Sequence, residues 1–107
     1  MKVKPIIPRE LARRDLEQAV DYYASEAGER VALGLIDALE SAYRAIAAHP
    51  AAGSPRYGHE LNLPGLRSWM LKRYPYAVFY IECEDHIDVW RVLHAHRDIP
   101  DLMRDDV

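Results

Sequence analysis

The sequence predicts an α+β fold. It has an N-terminal edge strand, then an antiparallel helical hairpin packed on one face of a mostly antiparallel sheet completed by three C-terminal strands. Three observations predict it. Apolar residues recur at helical spacing through two stretches of the first half. Only a few residues around Gly28 separate those stretches, so the helices turn back on each other. The second half instead carries three short runs of aromatic and β-branched residues, set apart by turn chemistry.

Residues 3–7 are a short apolar segment interrupted by Pro5, which suits an edge strand because proline cannot donate to a ladder. Pro8 suits the opening turn of a helix, where its missing N–H is harmless. From residue 9 to about 27, Ala12, Leu16, Ala19, Val20, Tyr23 and Ala27 share one helical face, and Gly28 ends the pattern. From about 29 to 49 the stripe is Ala32, Leu35, Ile36, Leu39, Ala42, Tyr43 and Ile46. His49-Pro50 stops it, because the residue before a proline avoids helical dihedrals. Residues 51–65, with Gly53, Pro55, Gly58, Pro64 and Gly65, read as a connector and not a core element. Strands are expected at 67–73, 76–82 and 86–94, with an acidic turn at Glu82, Glu84 and Asp85. The last two strands are apolar at both parities, as a central pair buried on both faces would be. Residues 98–107 form a tail with room for a helical turn. With both helices on one face, the opposite face is left free to form a groove.

A chain of 107 residues is expected to be one domain spanning 1–107. Half of its residues are apolar and 29% are charged, so it is neither disordered nor fibrous. No apolar run has the ~18–20 residues of a membrane helix, and no secretory leader is recognisable. One cysteine, Cys83, excludes an intrachain disulfide, which makes the cytoplasm the expected location. No Cys-x-x-Cys pair and no Gly-rich phosphate loop are present, so no metal or cofactor is expected.

The net charge of −3 argues against a general polyanion binder. It conceals a segregation: residues 50–81 carry +3, between −3 over residues 9–49 and −5 over residues 82–107. The cationic centre is the first C-terminal strand. There parity sets Arg67, Trp69, Leu71 and Arg73 on one face and Ser68, Met70 and Lys72 on the other. These cations are either solvated strand ends or a groove for a phosphate backbone or an acidic partner segment. Arg91 lies between Trp90 and Val92 in the most apolar run. A buried arginine must be paired, so it makes either a salt bridge to a helix acid or a site on the open sheet face. His94 and His96 share a strand face but lack a third metal ligand. They are polar residues at a strand exit or a proton-transfer pair.

The order and spacing of several segments add a resemblance. ARRDLEQAVDYY near the start, HPAAGSPR at the end of the second helical stretch, and GLRSWMLKRYPYAVFYIECEDHIDVWRVLHAHRDIP resemble the RelE/ParE toxin superfamily of bacterial type II toxin–antitoxin systems. Arg67, RYPYAVFY at 73–80 and RVLHAHRD at 91–98 carry most of it. The resemblance implies a toxin made with a cognate, ParD-like antitoxin that wraps it in a hetero-oligomeric complex, with no membrane partner. The RelE-like branch cuts mRNA on the ribosome. In this chain that would use Arg91 to stabilise phosphate charge and His94 or His96 to move the proton. The ParE-like branch is associated with inhibition of DNA gyrase. The C-terminal DIPDLMRDDV has no tyrosine or histidine, a departure from the nuclease pattern that favours the ParE-like branch. The groove residues expected are Arg67, Lys72, Arg73, Arg91 and Arg97. A relative that has lost toxicity and acts only in complexes is a further alternative.

Overall fold

The computed structural model describes residues 3–97 and 99–104. Lys2, Asp98 and residues 105–107, which the charge count and the tail expectation include, lie outside the described residues. Four strands form one sheet in the order β1-β4-β3-β2. They are β1 Ile6–Pro8, β2 Leu66–Met70, β3 Tyr76–Glu82 and β4 Ile87–His94. β1 runs parallel to β4, and the other two pairings are antiparallel. Helices α1 Glu10–Glu26 and α2 Glu29–Ala48 follow β1. Gly28, between them, has a φ of 97°, a conformation that side chains strain to adopt.

The hairpin covers one face of the sheet. Ala12, Ala19, Leu35, Leu39, Ala42 and Ile46 meet Val78, Tyr80, Ile87, Val89 and Val92 there. The stripes read from the sequence are buried or partly buried, except Ala27 at the end of α1, which is exposed. The alanines at 12 and 19 are small enough to bring α1 close to the sheet.

The opposite face is not free, contrary to expectation. The connector forms a 3₁₀ turn over Pro50–Ala52 and a short helix, α3 Arg56–Glu60, and the tail forms α4 Ile99–Arg104. Ile99 and Met103 of α4 pack with Leu66, Ala77, Phe79, Trp90 and Leu93 into a second core, flanked by Tyr57, Leu61 and Leu63. The face is apolar, so exposing it to water would cost free energy in proportion to its area. The segments after α2 and β4 carry just enough apolar residues to cover it.

Two boundaries and one register differ from expectation. β1 begins at Ile6 and includes Pro8, which the sequence places in the opening turn of a helix. As the last residue of an edge strand, its lack of an N–H is equally harmless. β2 ends at Met70, so Leu71, Lys72 and Arg73 belong to the turn before β3, and Arg73 has a φ of 70°. The parity that placed Arg73 beside Arg67 does not apply beyond the strand end. In β4, Tyr80 lies opposite Val89 and Phe79 opposite Arg91, which makes Trp90 an extra, bulged residue. The bulge switches side-chain parity. Ile87 and Val89 face the helical hairpin before it and Val92 after it, while Trp90 and Leu93 face α4.

The end of α2 is tied to the sheet by a close approach. The hydroxyl of buried Tyr80 donates to the Pro50 carbonyl at 2.6 Å, and Arg67 Nη1 donates to the Gly53 carbonyl at 2.8 Å. A Cβ on Gly53 would collide with the Tyr80 hydroxyl and come within 3.1 Å of the Ser68 carbonyl. Gly53→Ala is therefore expected to destabilise the fold by about 1–3 kcal/mol, the usual cost of overpacking. Urea unfolding of the two proteins measures it, and an unchanged midpoint would show that the turn relaxes freely.

Candidate functional site

The segregated positive charge emerges at the turn between β2 and β3. Lys72 and Arg73 are exposed there, with neither an ion pair nor a side-chain hydrogen bond among the described residues. The turn is held against α2 by Tyr74, whose hydroxyl donates to the Val31 carbonyl at 2.7 Å. That approach depends on Gly34, since a Cβ at this position would strike the Tyr74 hydroxyl. A glycine inside a helix costs about 1 kcal/mol relative to alanine, so its place here reflects packing and not helix propensity.

Between α2 and this turn lies a groove of about 500 Å³. Gly34, Ala38, Ala42 and Ala45 line its helical side, and Trp69, Met70 and Tyr74 line the other. Met70 is 54% exposed, although it sits at the end of a strand. Lys72 and Arg73 stand on the groove with Asp37 and Ser41. The result is an apolar trough of small residues with two uncommitted cations on its rim. The sequence reading missed Trp69, Met70, Gly34 and Ala38 as site residues. A glycine in a helix interior, followed by alanines four, eight and eleven positions on, is the signal that was available.

The other predicted residues are elsewhere. Arg67 belongs to β2 and is occupied by Gly53. Its guanidinium also opposes the upward pull of burial on the Tyr80 hydroxyl. Arg91 is not presented to solvent. Its Nε and Nη2 each donate to the Asp15 carboxylate of α1 at 2.8 Å, and the two side chains are only 12% and 10% exposed. Its Nη1 lies 3.5 Å from the Leu102 carbonyl of α4. Asp15 also accepts the Val92 N–H at 3.0 Å. β1 pairs no further along β4 than Val89, so this backbone donor lies past the covering strand, and the carboxylate takes it.

His94, His96 and Arg97 gather at the end of β4. Tyr76 sits edge-on to His94 with ring centroids 5.2 Å apart, and the His96 ring is 5.3 Å from that of His94. His94 Nδ1 accepts the His96 N–H at 3.1 Å. Burial pushes the Tyr76 hydroxyl up, Tyr23 and Tyr22 add to the shift, and Arg97 opposes it. Tyr23 lies edge-on to both Tyr74 and Tyr76, so a row of rings separates this corner from the Lys72–Arg73 groove. Among the described residues no group of three or more His, Cys, Asp or Glu converges on a metal position. Among them, too, no helix is long and apolar enough to cross a membrane.

Removing one partner of a buried, hydrogen-bonded ion pair strands the other. Asp15→Ala should cost about 3–5 kcal/mol, visible as a lowered urea midpoint. The double variant Asp15→Leu/Arg91→Met should recover most of that loss. A double variant no more stable than Asp15→Ala would show that the Val92 N–H, and not Arg91, is what Asp15 serves.

Comparison with known proteins gives a consistent result. The family model described as ParE toxin of type II toxin-antitoxin system, parDE, matches residues 6–99. Among solved structures, one described as the chromosomal ParDE TA system from P. aeruginosa superposes with a TM-score of 0.73 at 21% identity. The match covers 88% of this chain and 98% of that one. No curated protein matches the sequence.

Proposed function

The chain belongs to the ParE toxin family of type II toxin–antitoxin systems, and on that premise we propose a cytoplasmic toxin that binds and inhibits DNA gyrase and is neutralised by a cognate antitoxin in a hetero-oligomeric complex. The gyrase target follows from the ParE-like branch. The observation that favours a non-enzymatic toxin over an RNA-cutting one is the state of the groups a nuclease would use. Cleavage needs a cation free to hold developing phosphate charge and a group free to take a proton at the same atom. Arg91 is committed to Asp15; the cation that does stand beside His94 is Arg97, but His94 Nδ1 already accepts a backbone N–H and His96 does not line their cleft. Lys72 and Arg73 stand on a different hollow.

Purified toxin, freed of antitoxin, is expected to block supercoiling of relaxed plasmid by gyrase. Full supercoiling at large molar excess of toxin would remove this reading. Primer extension on transcripts from cells expressing the toxin is expected to show no new ends. New ends that depend on the ribosome would restore RNA cleavage as the activity.

The groove beside α2 supports the antitoxin half of the proposal. An amphipathic acidic segment can set a bulky apolar side chain over Ala38 and Ala42, against Trp69 and Met70, and direct carboxylates to Lys72 and Arg73. Reversing both charges, Lys72→Glu with Arg73→Glu, should weaken antitoxin binding on the order of tenfold or more, mainly by slowing association. Both residues are exposed, so thermal stability should not change. Surface plasmon resonance at two salt concentrations measures the effect. Unaltered association at low salt would place the antitoxin on another surface.

A further inference from the structure

We propose that the cleft between α1 and the end of β4 is an anion site that takes the phosphate of a nucleotide, with the base resting on the ring of Tyr22. The cleft has a volume of about 210 Å³, and Gln18, Tyr22, Tyr76, His94 and Arg97 stand around it. It is distinct from the groove proposed for the antitoxin and shares no residue with it.

The polar groups here favour an anion. Asp15 borders the cleft, but its carboxylate is occupied by two Arg91 N–H groups and the Val92 N–H. An approaching anion therefore meets a neutralised pair and not a bare negative charge. In the neutral ring, acceptance by His94 Nδ1 of the His96 N–H leaves Nε2 as the donor nitrogen. The Arg97 guanidinium has no ion pair or side-chain hydrogen bond among the described residues. Its planar fork of donors suits phosphate oxygens. The Gln18 amide and the hydroxyl of Tyr76 add further donors. With the carboxylate and the imidazole acceptor both occupied, the cleft is equipped to hold a phosphate but not to abstract a proton beside it.

Size and exposure select the rest of the ligand. At about 30 Å³ per water, the space is that of roughly seven waters, enough for a phosphate and part of a sugar. It falls below the ~300 Å³ at which pockets enclose drug-sized molecules, so a base has to lie outside. Tyr22, at the mouth, is 58% exposed and packs edge-on against Tyr23, which leaves ring surface available for stacking.

Titration of the full chain with AMP, ribose 5-phosphate and glutamate, followed by amide NMR shifts, tests the assignment. Shifts are expected at Tyr22, His94 and Arg97, with AMP binding on the order of tenfold tighter than ribose 5-phosphate because of stacking. Arg97→Ala should weaken both phosphates at least tenfold, and Arg97→Lys should restore part of that loss. Tyr22→Ala should bring AMP down to the level of ribose 5-phosphate and leave the latter unchanged, whereas Tyr22→Phe should bind AMP normally. Absence of saturable shifts, undiminished binding by Arg97→Ala, or glutamate binding as tight as ribose 5-phosphate would overturn the phosphate site. Equal affinities for AMP and ribose 5-phosphate would overturn the role of Tyr22.

Discussion

The Asp15 carboxylate is where the helical layer is keyed to the sheet. It takes two N–H groups from Arg91 and one from the Val92 backbone, so a single residue of α1 fixes both a side chain and the main chain of β4. Hydrophobic contact alone is non-directional and would allow α1 to slide along an apolar strand. A bidentate pair in a nearly dry setting does not, because a small displacement would strand two charges. Once α1 is set on β4, the short break at Gly28 brings α2 back antiparallel. The ring of Tyr74 then meets α2 at the one residue without a side chain, Gly34.

The same pair explains how a four-stranded sheet can be covered so unequally. β1 is three residues long and covers only the first part of β4. Past its end, α1 approaches from one side and α4 from the other, and Arg91 lies near both. Alternation from Val89 sets the large ring of Trp90 on the α4 face, and the bulge there returns Val92 to the hairpin face. An uninterrupted strand would keep residues 90 and 92 on one face.

Charge follows a related division. The surface is acidic on average, yet Lys72 and Arg73 stand uncompensated beside an apolar trough, while Arg67 and Arg91 are held by internal acceptors. A cation tied to a carbonyl or a carboxylate supports the fold, and one left in solvent beside apolar surface is available to a partner. Composition counts all four alike, and only their acceptors distinguish them.

The sequence by itself determined the α+β class, the edge position of β1, the two helices to within about a residue, and the central pair of strands. The resemblance pointed to the family that the comparison then established. These follow from periodicity and chain punctuation, which are local properties. Tertiary structure alone decided the covering of the second sheet face, the parity switch at Trp90, the fate of Arg91 and the groove beside α2. Each depends on segments distant in sequence: Asp15 and Arg91 are 76 positions apart, and Gly34 of α2 meets Tyr74 of the turn between β2 and β3. The apolar residues of the connector and tail are too sparse to show a period. Tyr57, Leu61, Leu63, Ile99, Leu102 and Met103 join a core because an apolar sheet face stands beside them to be covered. Local pattern sets which elements form, and the acceptors and surfaces that other elements supply decide what each side chain does.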